Sequence, residues 1–319
     1  MAEQNKHIID FILYAEKEKG YSAYTIKSYT NDLNRFDHFM KTYTNDPQWA
    51  FDTIDRYTIR HFLGKEFEEG LSSRTVARRL ATIKSLCKYL QKNGVIDVNI
   101  AAVIKTPKTP KKLPAIIPEK MIEELMNCPP DTIKGKRDKA VLELFYSTGI
   151  RLSELVGLNL GDFKPEYKNN PKTGEVEHSG VVKVFGKGSK QRIVPYGKYA
   201  GGALDNYLKK RGINLKTSDP NVPCFVNLKG KRLSSRTIQR QVTKYIKQVA
   251  EGSSLGPHTL RHSFATHMIN NLDKKGQAID IRSLQELLGH SSLSSTSIYT
   301  QLEEEKMKKI YKKAHPHGE

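Results

Sequence analysis

Residues 256–268 read GPHTLRHSFATHM and residues 284–300 read LQELLGHSSLSSTSIYT, joined by a short connection. His258 and Arg261 are three residues apart, a spacing that puts both on one face of a helix. Pro257 suits the first turn of that helix. His290 follows Gly289 in LLGH, where a helix stops, and Tyr299 comes nine residues later in STSIYT. Two rigid helix ends can therefore aim one Arg, two His and one Tyr at a common point. Arg carries a permanent cationic fork that matches phosphate oxygens. His exchanges a proton near neutral pH. A Tyr hydroxyl is a nucleophile able to form a covalent intermediate. Taken singly, each residue has a plain reading: a half-buried aromatic and ordinary helix histidines. Taken together they point to attack on a phosphodiester.

The surrounding chemistry agrees. The chain has 319 residues and a formal net charge of +19, with a pI near 9.6. Its length fits two domains, each able to bury a core. Such a cationic excess calls for a polyanion, most simply nucleic acid, or an anionic membrane surface. No apolar run approaches the ~18 residues of a spanning helix. The segment MAEQNKHIIDFILYAEKEK lacks the apolar block of a signal peptide, so a cytoplasmic protein is expected. Cys87, Cys128 and Cys224 are scattered and fit reduced thiols better than a disulfide frame or a CxxC metal site.

Residues 1–104 read as all-helical. A first helix places Ile8, Ile9, Ile12 and Ala15 on one side and ends at Gly20. Ser22 caps a second with Tyr29, Leu33, Phe36 and Met40 at helical spacing. A third runs from about Asp52 to Glu69, where Gly70 stops it. Ser73 opens a fourth whose apolar stripe is Val76, Leu80, Ile83, Cys87 and Leu90. From Ser72 to Lys92 this helix holds Arg74, Arg78, Arg79, Lys84, Lys88 and Lys92 and no acidic residue. One-sign faces of this kind suit phosphates, the alternative being a solvated basic face. Residues 105–118, KTPKTPKKLPAIIP, read as an extended basic linker.

The second domain, 119–319, starts with a helix of roughly Lys136–Ser147, then STGIRLSELVGLNLGDF. Gly149 breaks the helix and Arg151 opens the next. An Arg at a helix start opposes the macrodipole and so hints at a task. Glu154 lies three residues on, where an i,i+3 contact can hold Arg151 in place. Residues 181–196, VVKVFGKGSKQRIVPY, read as a β-hairpin with Lys187 in its turn. The turn is not a phosphate loop, because the glycine spacing is wrong and a strand rather than a helix follows. A helix at about Ala203–Arg211, a short strand CFVNL and a basic helix capped by Ser235 and running through Ala250 come next. That last helix carries Arg236, Arg240, Lys244 and Lys247. A further helix, LEEEKMKKIYKKA, ends before Pro316.

Arg151, Lys187, His258, Arg261, His290 and Tyr299, in that order within TGIRLSEL, GKGSKQRIVP, HTLRHSFATHM, LLGHSS and IYT, resemble the tyrosine recombinase (phage integrase) family. The Xer-type branch is the more similar, over nearly the whole chain. The resemblance implies a mainly helical fold with a small β-sheet in the catalytic domain. It implies a SAM-like core-binding domain and a catalytic domain closing around double-stranded DNA as a clamp. Arg151 and Arg261 match the arginines that grip the scissile phosphate, and Tyr299 matches the nucleophile. Lys187 matches the hairpin lysine that protonates the leaving 5′ hydroxyl, a task His258 is also able to perform. His258 and His290 match the two active-site histidines, and Glu154 a frequent acidic neighbour of the first arginine. Neither metal nor ATP nor any other cofactor is expected. The implied assembly is a homo- or heterotetramer on a specific core site, with a septal DNA translocase as a candidate further partner. The resulting expectation is strand exchange through a 3′-phosphotyrosyl bond and a Holliday junction, resolving chromosome or plasmid dimers.

Two stretches, FKPEYKNNPKTGEVEHSG and NLDKKGQAIDI, look longer than is usual in the Xer branch, so integration of a mobile element is the alternative role. Three rivals are weaker. A metal hydrolase would exploit His258 and His262 at i,i+4, but position 259 is Thr, so HExxH is absent. A pure DNA-binding module would account for the basic helices alone. A type IB topoisomerase shares the chemistry but needs no pairing of sites.

Overall fold

Ser22, Asp55 and Ser72 each accept a hydrogen bond from the backbone N–H three residues on, and a helix starts after each. The computed structural model describes residues 5–109, 115–171, 174–186, 191–215, 217–250, 255–274 and 301–316. The chain divides into two units, Met1–Lys112 and Leu113–Glu319.

The first unit holds α1 (Lys6–Lys17), α2 (Ala23–Thr44), α3 (Arg56–Glu68) and α4 (Ser73–Lys92). Its core gathers Phe36, Phe62 and Trp49 with the stripe Val76, Leu80, Ile83, Cys87 and Leu90 of α4. Two sequence expectations need correction. Helix α1 buries Ile8, Phe11 and Ala15, while Ile9 is 41% exposed. Phe11 takes the inner position because its ring packs on Tyr29 and Tyr89. The third helix starts at Arg56 instead of Asp52. A 3-10 turn, Phe51–Thr53, precedes it. Asp55 then accepts from the backbone N–H and hydroxyl of Thr58, 2.7 and 2.8 Å away, and resets the chain.

The second unit is built on α6 (Ile133–Thr148), which buries residues on every side of its last three turns. Helices α5 (Glu119–Asn127), α7 (Leu152–Gly157), α8 (Lys198–Lys210), α9 (Ser235–Val249), α10 (Pro257–Lys274) and a final helix (Gln301–Ala314) complete its helical part. Helix α6 packs on α8 and α10 and on one strand of an antiparallel sheet. That sheet is β1 (Phe163–Asn169), β2 (Val176–Phe185) and β3 (Gln191–Tyr196), in the order β1-β2-β3. Phe163 pairs with Val182, and Val182 with Val194. The extra stretch read before the hairpin thus forms β1 and the start of β2. The charged sequence KPEYKN hides a strand, because only Phe163 of β1 is fully buried. CFVNL is not a strand: it makes a lone bridge between Val226 and Arg232. The cap of α9 is Ser234, one residue earlier than expected.

The expected linker starts directly after the first core and is drawn into the second at its far end. Ile104 belongs to the first core. Ile117 is buried in the second, its N–H donating to the Ser263 hydroxyl over 2.8 Å. No helix among the described residues is long and apolar enough to cross a membrane.

Gly149 ends α6 with φ +57°, its N–H donating to the Phe145 carbonyl over 2.9 Å. A Cβ there would lie 2.3 Å from the Phe264 ring of α10. Both the left-handed backbone and the lack of space demand glycine. Gly149→Ala is expected to cost roughly 2–5 kcal/mol, the sum of left-handed strain and overpacking. Denaturant midpoints of the two proteins check this.

Candidate active site

Because Gly149 turns the chain sharply, Arg151 arrives at the start of α7 as its N-cap residue. Glu154 closes the turn. Its Oε2 accepts from the Arg151 backbone N–H over 2.7 Å, and its Oε1 accepts from Arg151 Nη1 over 2.9 Å. The expected i,i+3 contact is therefore present, with a backbone bond beside it. The Glu154 side chain is only 1% exposed, against 38% for that of Arg151.

A second arginine reaches the same carboxylate from β3. Arg192 donates Nη1 to Oε1 over 2.6 Å and Nη2 to Oε2 over 2.9 Å, in the fork geometry favoured by guanidinium and carboxylate. Arg192 is buried, on the same face of β3 as Val194 and Tyr196. Sequence reasoning passed over it. The available signal was period-two alternation: a cation falls where RIVPY turns its core side inward.

Arg261 comes from α10 and donates Nη1 to the Gly149 carbonyl. One glycine thus shapes the turn that delivers Arg151 and supplies the acceptor that places Arg261. Burial pushes the Arg261 guanidinium down to about 10, and the charges of Arg151 and Arg192 push the same way. Glu154 shows the opposite balance. Burial alone would raise its pKa, but the hydrogen bonds and charges of Arg192 and Arg151 win and hold it below the ordinary value. Three guanidiniums thus lie around one carboxylate, leaving a local charge of +2. Two of them, Arg151 and Arg261, are partly exposed. An anion entering beside these two would offset the burial and the repulsion that depress Arg261.

His258 lies in the first turn of α10, one turn before Arg261, and is exposed. The Thr259 hydroxyl accepts from the Gly256 N–H over 3.1 Å and fixes the helix start. His262 has its pKa lowered by burial and then by the charges of His258 and Arg261. Of the six candidate residues, Arg151 and Arg261 are brought together and His258 shares a helix with Arg261. Lys187, His290 and Tyr299 lie outside the described residues.

Residues 116–306 match the family model described as phage integrase family, and residues 8–94 match its N-terminal SAM-like domain. The chain belongs to the phage integrase family of tyrosine recombinases. Among relatives of this family, the tyrosine recombinase XerC of Thermodesulfovibrio yellowstonii is 38% identical over 320 residues, covering 99% of this chain and 98% of the relative. The XerC of Natranaerobius thermophilus is 37% identical over 313 residues, covering 97% and 98%. Two solved structures share the fold. A XerH recombinase bound to a palindromic difH substrate after cleavage has a TM-score of 0.64 and 21% identity, over 95% of this chain and 83% of that one. A lambda integrase dimer bound to a COC′ core site has a TM-score of 0.64 and 16% identity, over 92% and 98%. The fold class read from the sequence is this one: mainly helical, with a small sheet in the catalytic domain.

The depressed pKa of Glu154 contributes to the acid behaviour of this recombinase. Its folded form holds the proton less tightly than a free carboxyl of about 4.3. The stability it contributes is therefore complete above that value and is lost as pH falls through the lower folded pKa. Glu154→Gln is expected to lose about 3 kcal/mol at pH 7, the low end for breaking a buried pair. The variant should also flatten the acid limb of the stability curve below about pH 4, as read by thermal melts across pH.

Proposed function

We propose that this chain is a site-specific DNA recombinase of the Xer kind that cuts and rejoins DNA through Tyr299. The observation that carries the reading is the site just described: two partly exposed arginines, delivered by separate elements, with their surplus charge held in place by a buried carboxylate. Arg151 and Arg261 grip the non-bridging oxygens of the scissile phosphate. Tyr299 Oη attacks phosphorus, the bond from phosphorus to O5′ breaks, and a 3′-phosphotyrosyl link forms. A tyrosine of pKa about 10 is a weak nucleophile, and two guanidiniums favour its phenolate. The leaving O5′ takes a proton from Lys187 or His258, and His290 donates a hydrogen bond to the phosphate. Attack by a 5′ hydroxyl from the partner strand reverses these steps and joins the strands. The energy of the broken bond is kept in the phosphotyrosyl link, so rejoining needs no ATP.

Residues 1–104 serve as the core-binding domain, 105–118 as the basic linker and 119–319 as the catalytic domain. The family matches over 8–94 and 116–306 support that division. The substrate is double-stranded DNA with a specific core site, bound by four protomers, which are either identical or of two kinds. Likeness to XerC over nearly the full chain supports resolution of chromosome dimers in the cytoplasm over integration of a mobile element.

The test is covalent trapping. Protein is incubated with nicked candidate sites in EDTA and run on a denaturing gel. The expected result is a protein–DNA adduct that Tyr299→Phe abolishes while leaving binding intact. Arg261→Ala should slow adduct formation by about 10²- to 10³-fold, the cost of removing one donor to a developing charge. An adduct that persists in Tyr299→Phe would overturn the assignment of the nucleophile.

A further inference from the structure

We infer that Arg192 is a positioning residue for strand cleavage: it occupies the bidentate edge of Glu154 and so keeps the Arg151 guanidinium available for the scissile phosphate. The inference rests on the proposed recombinase reading and adds to it a residue that does not touch DNA.

The hydrogen bonds divide unequally. Arg192 meets both carboxylate oxygens with both terminal nitrogens, at 2.6 and 2.9 Å. Arg151 meets Oε1 through Nη1 and Oε2 through its backbone N–H. A carboxylate has one edge that accepts a parallel pair of N–H groups, and Arg192 fills it. The exposures sort the two arginines by task. The Arg192 side chain is 8% exposed and that of Arg151 is 38%. Arg192 therefore faces the carboxylate from the core side, and Arg151 faces outward.

Removing Arg192 changes the choice open to Glu154. A buried carboxylate cannot stay ionised without a partner. Arg151 is the cation already bonded to it, and its fork would turn toward the vacated edge. An arginine engaged in that way is turned from the phosphate. Arg192 also lies on β3, five residues after Lys187. Its bond to Glu154 ties β3 to the start of α7, so the strand that begins four residues after Lys187 is held against the segment that carries Arg151.

The experiment is a double-mutant cycle in single-turnover cleavage of a nicked site at saturating protein. Its members are wild type, Arg192→Gln, Glu154→Gln and the double variant, with Arg192→Lys beside them. Adduct rate, affinity for the site and melting temperature are read for each. Arg192→Gln is expected to cut about 10²-fold more slowly at nearly unchanged affinity, the size of effect that a displaced catalytic group produces. Arg192→Lys keeps the charge without the fork and should fall between. Glu154→Gln removes the carboxylate that diverts Arg151, so the double variant should cut at least about tenfold faster than Arg192→Gln alone. A merely structural arginine predicts the reverse, with the double variant no faster and the rate loss following the melting temperature. Wild-type rates in Arg192→Gln, or no rescue in the double variant, would overturn the inference. Should Arg192→Gln not fold, Arg192→Lys and the double variant decide it: cleavage in the double variant that matches or exceeds Arg192→Lys supports the inference, and cleavage below it opposes the inference. Absence of any adduct from wild type would instead count against the recombinase reading itself.

Discussion

A carboxylate placed in a protein interior has to be neutralised, and Glu154 is such a carboxylate. Transfer of an unpaired charge out of water costs far more than a domain of this size has in reserve. The chain meets that cost with an arginine three residues away and others from distant segments. Arg151 comes from the start of α7 and Arg192 from β3, and Arg261 of α10 is placed beside them by the Gly149 carbonyl. Each element must then be where its arginine is needed. The tight end of α6, the register of the sheet and the approach of α10 together bring these arginines to one buried charge. The same arrangement produces function, because one negative charge cannot cancel three positive ones. The surplus is displayed where Arg151 and Arg261 are open to solvent.

How much of this is written locally can be judged residue by residue. Ser22, Gly70 and the stripe of α4 are readable because capping and helical spacing act within a few residues. The bond between Arg151 and Glu154 is readable for the same reason, as its partners are three positions apart. Arg192 is not, since its partner lies 38 residues away and only the sheet brings the two together. Strand β1 escapes notice because an edge strand with one buried residue carries little hydrophobic signal. The inner position of Phe11 depends on Tyr29 and Tyr89, which lie on other helices. The motif order around Arg151, His258 and Arg261 is explicit in the chain, whereas the support beneath these residues is a property of the tertiary fold.

The first unit repeats the device. Asp32 and Glu66 are buried, at 2% and 1% exposure, and arginines from α2 and α4 surround them. Arg35 donates to Glu66 over 3.0 Å, Arg78 pairs with Asp32, and Arg79 pairs with Glu66. Burial comes first among the causes that lower the Arg79 pKa. Helix α4 looks one-signed only along its own sequence. In three dimensions its counter-charges are supplied by α2 and α3. Lys84 is engaged too, its ammonium donating to the Ile104 carbonyl over 2.7 Å.

This internal pairing bears on how the chain exchanges ions with its surroundings. A cation already matched to a buried carboxylate neutralises less phosphate charge and so releases fewer of a polyanion's condensed counterions when it docks. The formal charge of +19 therefore overstates the electrostatic currency of binding. On α4 the exposed Arg74 and Lys88 contribute at nearly full weight and Arg78, exposed but paired with Asp32, at less, whereas the more buried Arg79 contributes mainly by holding the surface in shape. Ionic strength would act on the two classes differently: it screens the exposed charges within about 10 Å at 0.1 M salt and leaves the buried pairs almost untouched. Concentrated salt should thus detach such a protein from a polyanion well before it loosens the scaffold that presents the charges.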